Sequence, residues 1–137
     1  MKIVSACLAG INCRYDGKSC ENKKVVELVR QGEAIPVCPE QLGGLSTPRE
    51  KHEIKNGKVI SESGKDRTEE FSRGAQEALK TAKLACCKEA ILKSKSPSCG
   101  NGKIYDGTFS GKLIDGDGIF TKLLKQNKIS IKNEEEV

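Results

Sequence analysis

A chain of 137 residues and 14.9 kDa has the length of one ordinary domain. Its hydrophobic fraction is 36%, and no apolar run approaches the roughly 20 residues of a membrane-spanning helix, which argues against a membrane protein. The formal net charge of +5 suits an anionic ligand such as a nucleotide phosphate or RNA, but an aromatic content of 4% without Trp argues against an extended base-stacking platform. Because no signal-peptide pattern follows Met1, we expect a cytoplasmic protein.

The first third of the chain has a strand–helix–strand pattern. Residues 2–7 predict a short core strand, and residues 22–31 predict a helix because their apolar positions recur at helical spacing. Residues 34–38 predict a second strand, and a loop at 39–49 contains two adjacent glycines. A polar, turn-rich segment joins the first strand to the first helix.

A hairpin and a long helix are predicted next. Asn56-Gly57 separates two alternating segments, 52–55 and 58–61, which is a strong signal for a two-residue hairpin turn. A single stripe of apolar residues then predicts a helix from residue 66 to about residue 86. Neither segment resembles a linker, so the chain continues within one domain.

The last third returns to the strand–helix alternation. Residues 90–93 predict a third strand, and the Gly-rich residues 100–118 predict an ordered loop or a small hairpin. A short helix after Asp117 and a strand at 129–131 complete the pattern.

This alternation predicts an α/β fold, a single three-layer domain with a short, mostly parallel sheet, a β-hairpin insertion and a Gly-rich loop. We expect the domain to span residues 1–132 and the acidic tail, 133–137, to be frayed.

Seven cysteines are many for a chain that we expect to be cytoplasmic. The number is odd and no secretory signal is present, so a disulfide framework is not expected. No C-x-x-C pair occurs, and the single histidine, His52, lies in a charged stretch where we expect it to be exposed. Cys86 and Cys87 fall near the end of a helix and are interpreted as structural thiols.

Three of the cysteines follow predicted strands. Cys7 and Cys38 end the first two strands, and Cys99 lies a few residues beyond the third. Because ligands bind beyond the carboxyl ends of parallel strands, the fold should gather these thiols at one edge. Three thiolates favour a soft metal centre, with an iron–sulfur cluster first and zinc second, while three unrelated core thiols remain an alternative. A cluster held by three cysteines leaves one iron with an open position.

Residues near these cysteines are candidates for the chemistry. Glu40 follows Cys38 by two residues and could act as a general acid or base, although an exposed turn carboxylate is the commoner case. Ser96 and Ser98 precede Cys99 and could hydrogen-bond a substrate. Further candidates for substrate binding are Gly100, which permits close backbone approach, and Arg14 and Arg49, which could meet a phosphate or carboxylate or be surface charges.

Six segments in order carry a family resemblance. They are SACLAG (5–10), RYDG (14–17), PVCPE (36–40), GGLSTPR (43–49), SPSCG (96–100) and YDGTF (105–109). Together they closely resemble the small bacterial family, long classed as a domain of unknown function, that includes thiouracil desulfidases. The resemblance covers nearly the whole chain.

The resemblance implies a [4Fe-4S] cluster bound by Cys7, Cys38 and Cys99, with one open iron. It also implies a non-redox reaction in which this iron takes the thione sulfur of 2- or 4-thiouracil, or of its nucleoside or nucleotide, and water replaces it to give the oxo base and sulfide. Glu40 would transfer protons and Ser96 would support catalysis or substrate binding. Cys13 is a reserve ligand only.

Two other functions compete with this interpretation. A basic, cysteine-rich chain could be an RNA-binding module with a structural zinc ion, and Cys86-Cys87 could serve a sulfur carrier or thiol-redox protein. We expect a small thionated pyrimidine as the partner and no membrane, with tRNA less favoured as a substrate.

Overall fold

Strands and helices alternate through most of the chain in the computed structural model, which describes residues 1–137. The strands are β1 (Lys2–Ser5), β2 (Ala34–Val37), β3 (His52–Lys55), β4 (Lys58–Ser61), β5 (Glu89–Leu92), β6 (Lys103–Tyr105), β7 (Leu113–Asp115) and β8 (Ser130–Asn133). The α-helices are α1 (Lys23–Arg30), α2 (Pro39–Leu42), α3 (Thr68–Leu84) and α4 (Ile119–Gln126), and a 3-10 turn at Ala6–Ala9 follows β1. None of the helices combines the length and apolarity needed to cross a membrane.

The central sheet has four strands in the order β2-β1-β5-β8, and every neighbouring pair is parallel. Ile3 of β1 is in register with Ile35 on one side and Ala90 on the other. Because all four strands run the same way, the segments that leave β1, β2 and β5 emerge at one edge of the sheet.

Helices cover both faces of this sheet. Ile3 points to the face packed against α3 and α4, where Phe120 is fully buried in the larger core cluster. The next residue, Val4, points to the opposite face, where it packs with Val25 of α1. This alternation along one strand places a separate apolar core on each side, and it confirms the predicted three-layer α/β fold.

Two antiparallel hairpins complete the chain. β3 and β4 are joined by Asn56 and Gly57, both in the left-handed region with φ of 51° and 77°, as a two-residue hairpin turn with positive φ at both central positions requires. The Gly-rich stretch forms the second hairpin, β6–β7. Both predicted hairpin segments are therefore present.

The structure corrects three local predictions. The first strand ends at Ser5 rather than at Cys7, because Ala6–Ala9 turn into a 3-10 helix. The predicted loop at 39–49 begins with the short helix α2. His52 is buried rather than exposed, with 8% of its surface accessible, because its ring packs 5.2 Å from that of Phe71.

The acidic tail is held against the domain rather than frayed. The Glu134 carboxylate accepts hydrogen bonds from the Ser94 backbone N–H at 2.9 Å, the Ser94 hydroxyl at 2.6 Å and Lys93 Nζ at 3.1 Å. Lys24 Nζ donates to the Val137 carbonyl at 2.7 Å. The prediction missed these contacts because they join residues about forty and about a hundred positions apart, a separation that composition cannot reveal.

Candidate active site

Three cysteines that follow three adjacent strands line one pocket of about 430 Å³. Cys7 lies in the 3-10 turn after β1, Cys38 follows β2 directly, and Cys99 lies in the loop after β5. All seven cysteines of the chain are free thiols. The convergence expected at the carboxyl edge of the sheet is therefore present, and Glu40, Ser96, Arg14, Arg49 and Cys13 line the same pocket.

A tight turn presents Cys99. Ser96 Oγ accepts hydrogen bonds from the backbone N–H groups of Ser98 and Cys99 at 3.1 and 3.0 Å. A Cβ on Gly100 would stand 2.7 Å from the Ser96 carbonyl oxygen, so this turn closes only around glycine. The Ser96 hydroxyl accepts both bonds through its oxygen, which leaves its hydrogen free to be donated into the pocket.

Ser98 and Gly100 do not line the pocket, so their predicted contact with substrate gains no support from the structure and stays a prediction. Ser98 is fully buried, and its carbonyl accepts the backbone N–H groups of Phe120 and Thr121 from α4. Ser98 and Gly100 therefore shape the loop that carries Cys99 without lining the pocket themselves.

Burial and neighbouring thiols set the protonation of the cysteines. Burial, followed by the nearby thiols of Cys20 and Cys38, raises the pKa of Cys7 to about 12. Burial also raises the pKa of Cys99. In contrast, a hydrogen bond from the Cys13 thiol lowers the pKa of Cys38 to about 7. Buried thiolates need a cationic partner, so Cys7 and Cys99 can bind as thiolates only when a metal centre displaces their protons.

The remaining cysteines fall into two groups. Cys13 is 2% exposed, lines the pocket, and its carbonyl oxygen lies 3.8 Å from Cys38 Sγ. Cys20 is tied to Cys7 through a backbone hydrogen bond of 2.9 Å. Cys86 and Cys87 lie after α3, outside the pocket, and only Cys87 is buried, so the interpretation of both as buried structural thiols is wrong for Cys86.

The thiols are not arranged for a single metal ion. No group of three or more His, Cys, Asp or Glu side chains stands close enough to hold one, whereas zinc–sulfur bonds of about 2.3 Å require thiolates about 4 Å apart. In an iron–sulfur cluster each cysteine binds a different iron, so the thiolates stand farther apart than around a single ion. Three free thiols spaced around one pocket fit such a cluster.

Glu40 enters the pocket from the first turn of α2. Its side chain is 17% exposed, and Oε1 accepts a hydrogen bond from Arg49 Nε at 3.2 Å. Burial raises the pKa of the Glu40 carboxyl, while the Arg49 charge and hydrogen bond oppose that rise. Oε2 has no hydrogen-bond partner in the protein.

The two candidate arginines differ in their surroundings. The Arg49 side chain is 5% exposed and is hydrogen-bonded within the protein, so the structure lends no support to its predicted role in substrate binding. Arg14 stays partly exposed at the pocket, 3.9 Å from the Asp16 carboxylate and 5.6 Å from the centre of the Tyr15 ring. Arg14 therefore remains a candidate for contacting substrate.

Several residues of the pocket wall carry no signal in the sequence. Glu53 is a buried carboxylate whose Oε1 accepts the backbone N–H groups of Gly107 and Phe109, each at 3.0 Å. It thereby fixes the loop that brings Phe109 to the pocket, which Tyr15 also lines. The RYDG and YDGTF segments contain these aromatic residues, but nothing in the sequence joins Glu53 to a loop more than fifty positions away.

A thiol-lined pocket at the carboxyl edge of a parallel α/β sheet, with a buried carboxylate beside it, is the arrangement of an enzyme active site. The 2-thiouracil desulfurase family model matches residues 3–136. The chain therefore belongs to the 2-thiouracil desulfurase family, which confirms the predicted family and enzyme class.

Two known proteins are similar over nearly the full chain. The uncharacterized protein YbbK of Bacillus subtilis (strain 168) is 45% identical, and the match covers 100% of this chain and 97% of YbbK. A solved structure of the [4Fe-4S]-dependent thiouracil desulfidase TudS (DUF523Vcz) superimposes with a TM-score of 0.93 at 43% identity, covering 98% of this chain and 91% of that one.

Proposed function

We propose that this protein removes sulfur from thionated pyrimidines, giving the oxo base and sulfide, with a [4Fe-4S] cluster held by Cys7, Cys38 and Cys99. The observation that carries this proposal is that three free cysteines after three adjacent parallel strands line one pocket together with Glu40. Membership of the desulfurase family and the likeness to a [4Fe-4S]-dependent desulfidase support it.

The pocket has both the ligands and the charge for such a cluster. Bound through three cysteines, it supplies an iron with a free coordination position, which suits a soft thione sulfur. Positive side chains offset the charge of the thiolates: Lys93 and Arg14 favour the thiolate of Cys7, and Arg49 favours that of Cys38.

Glu40 transfers the protons of the reaction. Exchange of sulfur for oxygen takes one water, whose oxygen bonds to the pyrimidine carbon while the carbon–sulfur bond breaks. The unpartnered Oε2 of Glu40 accepts one proton as the water oxygen bonds to carbon and returns it to the departing sulfur. It then takes the second proton from the new hydroxyl as the carbonyl forms and passes it to the sulfur, so that the thione and water give the oxo base and hydrogen sulfide. The free hydroxyl hydrogen of Ser96 donates to the substrate beside Cys99.

The pocket wall suits a pyrimidine with or without a ribose phosphate. Tyr15, Tyr105 and Phe109 supply apolar ring surface, while Arg14 and Lys95 supply positive charge to the same cavity. A cavity of about 430 Å³ lies within the size range of small-molecule sites. Because such a wall encloses a single base, we favour a small-molecule substrate over a structured tRNA.

Anaerobic assays test the function. Sulfide release is measured from 2-thiouracil, 4-thiouracil, and the nucleoside and nucleotide of each, with iron content determined on the same samples. Glu40→Gln should keep its iron and lose about 10²–10⁴-fold in rate, the usual worth of an acid–base residue. Glu62→Gln, which changes an exposed carboxylate of the same pocket, is the matched control and should stay active. Iron-replete protein that releases no sulfide from any of these compounds would refute the proposal.

A further inference from the structure

One guanidinium lies at the centre of the polar contacts behind Glu40. Arg49 Nε donates to Glu40 Oε1 at 3.2 Å, and Nη2 donates to the Cys13 carbonyl at 2.8 Å. Nη1 donates to the Ser46 carbonyl at 3.1 Å and to Thr47 Oγ1 at 2.9 Å. These contacts use four of the five N–H groups of the side chain, which is 95% buried.

This arrangement leaves Arg49 little capacity to bind a ligand, and it connects the 46–49 turn and the nearby α2 to a loop 36 positions earlier in the sequence. The backbone N–H of Arg49 also donates to the Tyr15 carbonyl at 2.8 Å, so the residue joins the 13–15 loop to the 46–49 turn and to α2. The planar guanidinium can donate hydrogen bonds in three directions at once, whereas a lysine ammonium acts as a point charge on a flexible side chain.

We propose that Arg49 is a positioning residue, which holds Glu40 Oε1 so that Oε2 faces the reacting atoms. This inference rests on the proposed role of Glu40 in the desulfidase reaction. Without the guanidinium, a carboxylate that is 17% exposed loses its one protein partner and rotates toward solvent. A displacement of about 1 Å of a catalytic group costs up to about 10²-fold in rate.

A double-mutant cycle separates this role from a general structural one. The cycle consists of Arg49→Met, Glu40→Gln and the double variant, each loaded with iron and assayed for sulfide release. We expect Arg49→Met to lower kcat at least about tenfold, with KM within about threefold, because four of the five N–H groups of the guanidinium are already bonded within the protein. In the Glu40→Gln background the same substitution should cost nothing further, since Arg49 acts through Glu40.

The matched control is Arg67→Met. Arg67 forms an ion pair with Glu70 at 3.1 Å, outside the pocket, and its loss should leave kcat unchanged. Arg49→Lys, which keeps the charge, provides the decisive variant if Arg49→Met does not fold. We expect its kcat to lie below that of the wild type, because one ammonium cannot hold both Glu40 and the Cys13 carbonyl.

The outcomes are distinct. Rate losses that multiply in the double variant, or an Arg49→Lys enzyme with wild-type kcat, would overturn the positioning role. Full activity of Glu40→Gln would instead refute the role of Glu40 in the proposed function, whatever the arginine variants do.

Discussion

Replacing Gly74 by alanine should destabilise the protein, although alanine is the better helix former. Gly74 lies within α3 at the crossing with α2, where an added Cβ would stand 1.8 Å from the Pro39 carbonyl oxygen. Gly43 makes the reciprocal approach, its Cβ position lying 2.0 Å from the Glu70 carbonyl oxygen. The two helices therefore meet backbone to backbone, and α2 carries Glu40 into the pocket.

Two opposing effects set the magnitude. Alanine in a helix interior gains about 1 kcal/mol over glycine from propensity. The new contact is with backbone, which cannot rotate away, so α2 must shift, at the cost of up to about 3 kcal/mol typical of overpacking. We expect a net loss of about 2 kcal/mol in the free energy of unfolding. The shift of α2 also displaces Glu40, so sulfide release should fall more than about tenfold.

Urea denaturation of anaerobically purified protein measures the loss of stability. The midpoint should move to a lower urea concentration while the slope stays unchanged. Gln76→Ala, at an exposed position of the same helix, is the control and should be stable. A Gly74→Ala protein as stable as the wild type would refute the close approach of the two helices.

Three further predictions concern the pocket and the thiols. Glu53→Ala removes two hydrogen bonds to a charged acceptor and should lower the free energy of unfolding by about 3 kcal/mol, with faster amide exchange in the loop that Glu53 holds. Glu53→Gln keeps an acceptor and should lower it less, so equal stability of the two variants would contradict this prediction. In cluster-free protein, the rate of Cys38 alkylation, followed by peptide mass spectrometry, should rise as the pH increases through about 7, while Cys7, with a pKa of about 12, stays protonated. In Cys13→Ala the pH midpoint of Cys38 alkylation should move upward, because the hydrogen bond from the Cys13 thiol is lost. Cys86→Ala should leave iron content and sulfide release unchanged, because Cys86 is exposed outside the pocket, and a loss of either would implicate it in the reaction.

The strand alternation and the convergence of Cys7, Cys38 and Cys99 follow from the sequence because both depend on local periodicity and on the geometry of parallel sheets. The hairpin at Asn56-Gly57 is equally local, since two adjacent residues with positive φ define it.

The roles of Arg49, Ser98 and His52 could not be predicted, because each depends on a partner outside its own segment. Arg49 contacts a carbonyl 36 positions earlier, and Ser98 is buried against α4. His52 lies among charged neighbours, yet its strand turns it onto Phe71. Periodicity identifies elements, but side chains that join loops leave no periodic signal.

Iron and acid-labile sulfide per chain, measured after anaerobic purification, test the cluster assignment most directly. The wild type and Cys13→Ala should each contain about four irons and four sulfides, and Cys7→Ala, Cys38→Ala and Cys99→Ala should each lose them. A wild-type protein that binds one zinc ion and no sulfide, or a Cys99→Ala variant that retains the full cluster, would contradict the assignment.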